Sequence, residues 1–522
     1  MDKRQETRTT DPCAKEADIL WEDIAMCRYL GSGSRQAVVE GEVALPGGLR
    51  EETVILSAQA MAVAEKSLPQ TGRTDVDGKV IFHVLYTQGD PTRINTLEAA
   101  ADFSQAIELT GARPGMSAPV SLTVEHVEAS AAGGRLKLMA ILKVYVQLFT
   151  EEPMHIVSGL RAADGLMQKT ETLKTSRTSA LGQQDVLIRD ECELSEGLQI
   201  TDTLYATATA SVQEVMGGEE RAAVSGTIEL EVYHLSALPS RPLVVTRHSI
   251  PFEETLLLSG EGGDLLTADA VIKDVAVLSQ EGQEEGQRTL RAEVLIGLTA
   301  RMTRSRDICL LLDAYTTGGD MLLPTVQPTS RVLAQRSLHT AESGKMTLLL
   351  DGQPAVRTPL TATLRPILTD VTRSGGKLIA EGMMEVSLLY MTDDTPAPQA
   401  YRTEEPFRVS FACDLCLDEA LTLQVTGVEA VSITSDRVEI KYILHLNCRD
   451  IALGQEPLIC DIVRQPAPQE ENGILIYFSQ PGERLWDIAK RYRVSCDSLR
   501  RMNPVLEGAE TTNGERVILW RK

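Results

Sequence analysis

The feature that most constrains the fold of this sequence is a segment that occurs three times, about 150 residues apart. The copies read DGKVIFHVLYTQGDPTRINTLEAAADFSQAIEL from Asp77, SGTIELEVYHLSALPSRPLVVTRHSIPFEETLLL from Ser225, and LIAEGMMEVSLLYMTDDTPAPQAYRTEEPFRVSF from Leu378. In each copy an alternating strand ends in a tyrosine, which we align across the copies: Tyr86, Tyr233 and Tyr390. Internal repeats of this length indicate three copies of one structural unit.

Alternation of apolar residues with period two predicts strands within each copy. In VIFHVLY, Val80, Phe82, Val84 and Tyr86 share one face, while the opposite face, with His83, is only partly polar. We therefore predict a central strand that is covered on both sides. Downstream of it, each copy has two alternating segments that flank a turn rich in Gly, Ser or Asp, which is typical of a hairpin. No helix-length periodic segment separates the strands, so the expected architecture is mainly β, with β-sandwich or barrel-like repeats.

The repeat boundaries predict a modular chain, since 522 residues are too many for one core. The expected organisation is an N-terminal segment, 1–35, with a short helix at 19–30; repeats at 36–150, 185–306 and 337–450; polar connectors at 151–184 and 307–336; a linker at 451–472; and a small module at 473–522.

Composition excludes several classes of protein. The net charge of −23 argues against binding of nucleic acid over the whole surface. The N-terminus has no apolar stretch typical of a secretory signal, and no segment has the apolar length of a membrane-spanning helix. The nine cysteines are scattered and odd in number, which favours a reducing cytoplasm.

No arrangement of residues predicts catalysis, so we expect a non-enzymatic protein without cofactor or metal. The seven histidines form neither an HExxH motif nor an i, i+4 pair: His83, His126, His155, His234, His248, His339 and His445. Cys413 and Cys416 form a CxxC without a second pair, which is more typical of ordinary strand thiols than of a metal or redox site. The run at 280–287, QEGQEEGQ, is typical of a solvated hairpin tip.

The last fifty residues have a different pattern. ILIYFSQ predicts a strand that is ended by Pro481-Gly482, and apolar residues at Leu485, Ile488, Ala489 and Tyr492 predict a helix. Ser495 is a suitable N-cap for a second helix, with a hydrophobic staple between Val494 and Leu499. Asn503-Pro504 ends that helix, and RVILW predicts a closing strand. The predicted order is β-α-α-β.

This module resembles LysM, on the motifs PGERLWDIAKRY, VSCDSLRRMNP and NGERVIL. The resemblance implies recognition of N-acetylglucosamine-containing glycan in a shallow groove between two loops: Gly482, Glu483, Arg484 and Leu485, and Asn503, Pro504, Val505 and Leu506. The chain departs from the family at Glu483 and Arg484, where Asp and Thr are usual, and at Glu515. Either these side chains are simply solvated, or the groove has been adapted to a protein surface. The basic residues Lys490, Arg491, Arg493, Arg500 and Arg501 are likewise either solvated or a site for an acidic partner.

The repeats resemble the SPOCS domain of bacterial spore-coat assembly proteins, on VVEGEVALPGG, HVLYTQGD and ARPGMSAPVSLTVEHVEASAAGGRLKLMAILKVYVQL. Repeated SPOCS units followed by one LysM are similar to the SipL type of clostridial spore morphogenesis protein. The resemblance implies a scaffold in the mother-cell cytoplasm, at the forespore or spore coat surface, whose LysM module contacts the coat morphogenetic ATPase or another coat protein. The alternative is an anchor protein that binds peptidoglycan or another N-acetylglucosamine-containing glycan.

Overall fold

The computed structural model describes residues 18–45, 53–132, 135–161, 165–281, 288–318, 320–412, 421–467 and 473–521. Strands account for most of them, so the prediction of a mainly β chain is confirmed. Cys413 and Cys416, and most of the hairpin tip at 280–287, lie outside the described residues.

The strands are β1 (Asp18–Ile24), β2 (Arg28–Val43), β3 (Val54–Gln70), β4 (Arg73–Gln88), β5 (Asp90–Glu108), β6 (Val120–Ala132), β7 (Arg135–Thr150), β8 (Met154–Arg161), β9 (Leu166–Leu194), β10 (Ile200–Gly217), β11 (Arg221–Ser236), β12 (Leu243–Leu257), β13 (Ser259–Gly260), β14 (Leu265–Glu281), β15 (Arg288–Thr316), β16 (Met321–Leu349), β17 (Thr358–Ser374), β18 (Lys377–Met391), β19 (Gln399–Phe411), β20 (Leu421–Thr434), β21 (Arg437–Gln465), β22 (Gly473–Phe478), β23 (Pro481–Arg484), β24 (Thr511–Asn513) and β25 (Arg516–Arg521). The helices are α1 (Leu485–Arg491) and α2 (Cys496–Met502), with 3-10 turns at Glu196–Leu198 and Pro504–Leu506.

Three similar units form most of the molecule. In each, a three-stranded antiparallel sheet (β3-β4-β5, β10-β11-β12 or β17-β18-β19) packs against strands of a second sheet (β2-β7-β6, β9-β15-β14 or β16-β21-β20). We call them units one, two and three. Each encloses its own apolar core, built mainly from Val, Leu, Ile and Ala. The central strand β4 is buried on both faces from Val80 to Thr87, as its sequence predicts.

The central strand of each small sheet contains a glycine that lies opposite a phenylalanine of the neighbouring strand: Gly78 and Phe103, Gly226 and Phe252, Gly382 and Phe407. A Cβ atom at Gly78 would lie 2.3 Å from the backbone oxygen of Val63 and 2.8 Å from the Phe103 ring. The first strand of each sheet has a register shift opposite this glycine. Because glycine has no Cβ atom, the backbone of the first strand and the phenylalanine ring of the third strand can both lie close to the central strand at this position.

These glycines correct our alignment of the tyrosines. Tyr86 and Tyr390 lie eight residues after their glycines, and both belong to the core of their own unit. Tyr233 lies seven residues after Gly226, so it faces the opposite side of its strand. The position equivalent to the two tyrosines is occupied by His234. The alignment was wrong by one residue, and a shift of one residue reverses the face of a strand.

His234 is fully buried, and its ring nitrogens lie 3.0 Å from Thr203 Oγ1 and 2.8 Å from Thr246 Oγ1. Burial, helped by nearby His248, lowers the pKa of His234 from 6.5 to about 4. The unfolded chain therefore binds a proton below pH 6.5 while the folded chain does not, so stability falls as pH decreases from 6.5 towards 4.

We predict that His234→Tyr, which introduces the residue of units one and three, reduces this pH dependence. Between pH 7.5 and pH 5 the wild type should lose about 2 kcal/mol more unfolding free energy than the variant. Urea unfolding at the two pH values measures the difference. Equal losses in both proteins would contradict burial of a neutral His234.

The three units form a closed ring. Strand β5 contacts β10, β12 contacts β17, and β19 contacts β3, so the last strand of each small sheet meets the first strand of the next. Nine buried apolar residues, three from each unit, pack together at the junction. This hub consists of Leu56, Leu85, Ile94, Tyr205, Tyr233, Leu243, Leu360, Leu389 and Met391. Each small sheet buries one face in the hub, and this shared apolar contact stabilises the ring.

Four strands are 29 residues long and continue beyond their units: β9, β15, β16 and β21. Their extensions (166–178, 303–316, 321–332 and 451–465) pack with β1 and β8 around two further apolar clusters. We call this part of the fold the stem. Register shifts at Met302/Thr303 and at Val332/Ala334 lie where the strands pass from the units into the stem.

The stem corrects four sequence predictions. The connector at 151–184, for which at most a short helix or strand was expected, is occupied by β8 and the start of β9, and the connector at 307–336 by parts of β15 and β16. Residues 451–465 of the predicted linker belong to β21, and residues 468–472 lie outside the described residues. The segment at 19–30, predicted as a helix, forms β1 and the start of β2. Two features explain why these strands were not predicted. Register shifts, such as that at Leu311/Asp313, interrupt the period-two pattern. The partner strands also lie far away in the sequence, as in the pairing of Trp21 with Val157.

The C-terminal module folds locally as predicted. Strands β22 and β25 pair, and α1 and α2 pack on one side of them around a small core. Ser495 caps α2, since its Oγ accepts a hydrogen bond of 3.1 Å from Ser498 N. The prediction omitted two short strands, β23 and β24, which pair with each other.

Candidate functional site

Several residues of the predicted groove are structural. Leu485 and Leu506 are buried in the module core. Asn503 is also buried, and its side chain donates hydrogen bonds of 2.8 Å to Leu499 O and Ile518 O and accepts one of 2.7 Å from Ile518 N. Asn503 therefore joins the end of α2 to the closing strand.

Glu483 is part of a network within the module. Its carboxylate accepts hydrogen bonds of 2.9 Å from Tyr477 Oη and 3.2 Å from Gln480 N, and it forms an ion pair of 3.1 Å with Arg491. The larger side chain that replaces the usual Asp thus braces the turn before α1. Glu483 is not simply solvated.

Gly482, Arg484, Pro504 and Val505 remain exposed. Arg484 precedes α1 without capping it, and its side chain forms no hydrogen bond or ion pair with the described residues. A groove for glycan between the two loops would therefore be lined by Arg484 and by apolar Pro504 and Val505, with few fixed hydrogen-bonding groups. Whether these residues bind a ligand stays a prediction.

The five basic residues that the sequence analysis singled out in the module have partners within the chain. Lys490 pairs with Asp313 and Arg491 with Glu483, whereas Arg493, Arg500 and Arg501 donate to the backbone oxygens of Thr316, Ala509 and Asp497. These contacts hold the side chains in place, but a hydrogen bond to a neutral backbone oxygen does not cancel the positive charge of an arginine. A site for an acidic partner at these residues stays a prediction.

The module is docked on the stem through α1. Trp486 Nε1 donates a hydrogen bond of 2.8 Å to Asp313 Oδ2, and the Trp486 ring meets Tyr315 edge to face, with centroids 5.0 Å apart. Tyr315 Oη donates a hydrogen bond of 2.9 Å to Val494 O, and Tyr315 is counted in the module core. The stem thus completes the module's packing and fixes its orientation.

We predict that Asp313→Ala loosens this contact by about 1–3 kcal/mol, because Trp486 Nε1 and Lys490 Nζ lose their shared acceptor. Hydrogen exchange of the α1 amides should become faster, while exchange in the units should not change. Asp307→Ala, at an exposed position on the same strand, is the matched control. Unchanged α1 exchange in Asp313→Ala would contradict a stabilising contact.

The opposite side of the module presents an apolar sheet face. Cross-strand pairs place Ile474 beside Trp520, and Ile476 beside Ile518, on the face away from the helices. Ile474, Ile476, Phe478 and Trp520 are 74%, 52%, 73% and 53% exposed. Exposed apolar clusters of this kind typically mark interaction sites. We call Ile474, Ile476, Phe478, Ile518 and Trp520 the apolar face.

The sequence analysis missed the apolar face, although a signal was present. Two short helices can cover only one side of a two-stranded sheet, and ILIYF places Ile474, Ile476 and Phe478 on the other side. A strand that is apolar on both faces is unusual where one face meets solvent.

Residues 53–132 match the family model described as SipL, SPOCS domain. The match covers β3 to β6 of unit one, so the chain contains a SPOCS domain. This domain indicates a sporulation-related role. Searches of the curated proteins and of the solved structures found no match.

No helix among the described residues has the length and apolar character to cross a membrane. Within the same residues, no three His, Cys, Asp or Glu side chains are grouped so as to hold a metal ion.

Proposed function

We propose that this chain is a non-enzymatic scaffold of the spore coat or envelope, and that its LysM-like module docks onto a coat morphogenetic protein, such as the coat ATPase. The observation that carries the proposal is the apolar face, together with the SPOCS domain of unit one. A surface of Ile, Phe and Trp side chains favours a protein partner, because burial of such side chains drives protein association.

The arrangement of the module supports the same function. Its α1 side is bound to the stem, so a partner reaches the module from the apolar face. The ring of units supplies a rigid body, and the module is the part that attaches this body to its destination. In this proposal the protein acts in the mother-cell cytoplasm, at the forespore surface.

A fluorescent fusion in sporulating cells tests the proposed function. The full chain should encircle the developing spore, and a chain that lacks residues 473–522 should be diffuse. A diffuse full-length fusion, or normal spore envelopes after deletion of the gene, would reject the scaffold role.

The alternative is an anchor that binds N-acetylglucosamine-containing glycan through Arg484, Pro504 and Val505, which are exposed in the two loops. Calorimetric titration of the full chain with chitin oligomers tests it, with Arg484→Thr restoring the residue usual in LysM. Binding of chitin oligomers without capture of any coat protein would favour this alternative.

A further inference from the structure

The ring of three units surrounds a cavity of about 800 Å³ that lies next to the hub and is partly open to solvent. Its lining comes from all three units, and its size lies within the range of small-molecule sites. The residues that line the cavity belong to the three units and not to the C-terminal module. A ligand of the cavity can therefore be inferred independently of the proposed function.

Equivalent cross-strand pairs form a polar layer beside the hub. They are Gln59 with His83, Thr207 with Glu231, and Thr363 with Ser387. Each pair lies next to the hub along its strands, so the three small sheets change from apolar to polar at the same level. All but Ser387 line the cavity. A polar layer inside a junction is costly unless its groups are satisfied.

Gln59 connects the three units at this level. Its Nε2 donates to Tyr233 Oη of unit two, at 3.2 Å, and to Thr363 Oγ1 of unit three, at 2.9 Å. Thr363 accepts this hydrogen bond, and its own hydroxyl hydrogen can be donated into the cavity. The polar layer is thus held in place before any ligand arrives.

Two buried atoms of the layer lack a hydrogen-bond partner among the described residues: His83 Nδ1 and Ser387 Oγ. The nearest carboxylate oxygen to His83 Nδ1, of Glu98, is 3.6 Å away. The His83 ring is fixed by stacking on Tyr205, with centroids 4.7 Å apart. Burial lowers the pKa of His83 to about 4, so the imidazole is neutral near pH 7. Of these two residues only His83 lines the cavity, and an unsatisfied buried group beside a cavity favours a bound polar molecule.

The arginines of the lining are already paired, and the lining also contains the carboxylate of Glu229, which accepts a hydrogen bond from Ser249 Oγ. Arg247 forms an ion pair of 2.9 Å with Glu231, and Arg365 one of 2.5 Å with Glu385. The remaining polar lining consists largely of hydroxyl and amide groups, such as Thr123, Thr209, Thr227, Thr422, Gln213 and Gln424. An anionic ligand would find no free counter-charge there and would be repelled by Glu229, whereas hydroxyl groups would find both donors and acceptors.

We propose that the ring cavity is a binding site for an uncharged, hydroxyl-rich molecule of the saccharide or polyol class, held by Gln59, His83 and Thr363.

Saturation-transfer NMR on the full chain with trehalose and maltotriose tests the site; neither contains N-acetylglucosamine. We expect transfer to at least one of them, and a loss of affinity of about tenfold in Thr363→Val, which keeps the shape of the side chain but removes its hydrogen bonds. Gln59→Leu should have a similar effect. Thr347→Val, at an exposed position on β16, is the matched control.

The outcomes separate this site from the module and from simple hydration. If neither saccharide binds, the cavity holds only water and the proposal is wrong. Binding that survives Thr363→Val and Gln59→Leu but is lost in Val505→Asp would place the saccharide on the module, which also overturns the proposal.

Discussion

Ile476→Asp is expected to weaken capture of the proposed coat morphogenetic partner strongly while leaving the chain folded. Ile476 is at the centre of the apolar face, between Ile474 and Phe478 on one strand and beside Ile518 on the other. In a complex, the new carboxylate would be buried against apolar atoms without a counter-charge. Central interface residues of this kind contribute 2 kcal/mol or more, so affinity should fall at least about thirtyfold.

Val505→Asp is the matched control, because Val505 is also exposed, at 78%, but lies in the predicted glycan loop. Capture by the purified coat ATPase, measured by surface binding, should be retained in this variant. The reverse result, with capture lost only in Val505→Asp, would move the partner site from the sheet to the loops. Loss in both variants would indicate that the partner covers both surfaces.

Gly78→Ala is expected to destabilise unit one by about 3 kcal/mol. The added Cβ would lie 2.3 Å from the Val63 backbone oxygen, and a backbone atom cannot move aside as a flexible side chain does. The Phe103 ring, 2.8 Å away, would have to move as well. Urea denaturation, followed by circular dichroism, should show a lower midpoint for the transition.

Gly41→Ala in β2 is the control within the same unit. Its Cβ would meet Ala101 at 3.8 Å, which is an ordinary contact, so stability should change by less than about 1 kcal/mol. Equal midpoints for Gly78→Ala and the wild type would mean that the strand opposite Gly78 is not as closely packed as described.

Patterns that are short in sequence predicted local structure well. Alternation identified β4 as a strand covered on both faces, and the cap at Ser495 and the end of α2 at Asn503 were found from a few adjacent residues. These signals depend on interactions within one or two helical turns or on the two faces of one strand. They can therefore be recognised from residues that are close together in the sequence.

Predictions failed where the structure depended on the exact spacing between two residues in a strand, or on contacts with side chains outside the motif. Tyr233 shares a residue type with Tyr86 and Tyr390 but lies on the opposite face, because it is seven and not eight residues after its glycine, and His234 occupies the equivalent position. The predicted groove shows the same effect. Glu483 was assigned to a binding loop from its position in the motif, but its contacts with Tyr477 and Arg491 give it a structural role.

Reading the residues alone was enough to predict that the chain is mainly β, that it carries a SPOCS domain, and that residues 473–522 form a small module with two helices. The folded structure was needed to show that the units close into a ring around a cavity, that four strands continue into a stem, and that α1 is docked on Asp313 and Tyr315. The physical reason is that strand formation follows from the alternation of neighbouring side chains, whereas these contacts join surfaces more than a hundred residues apart.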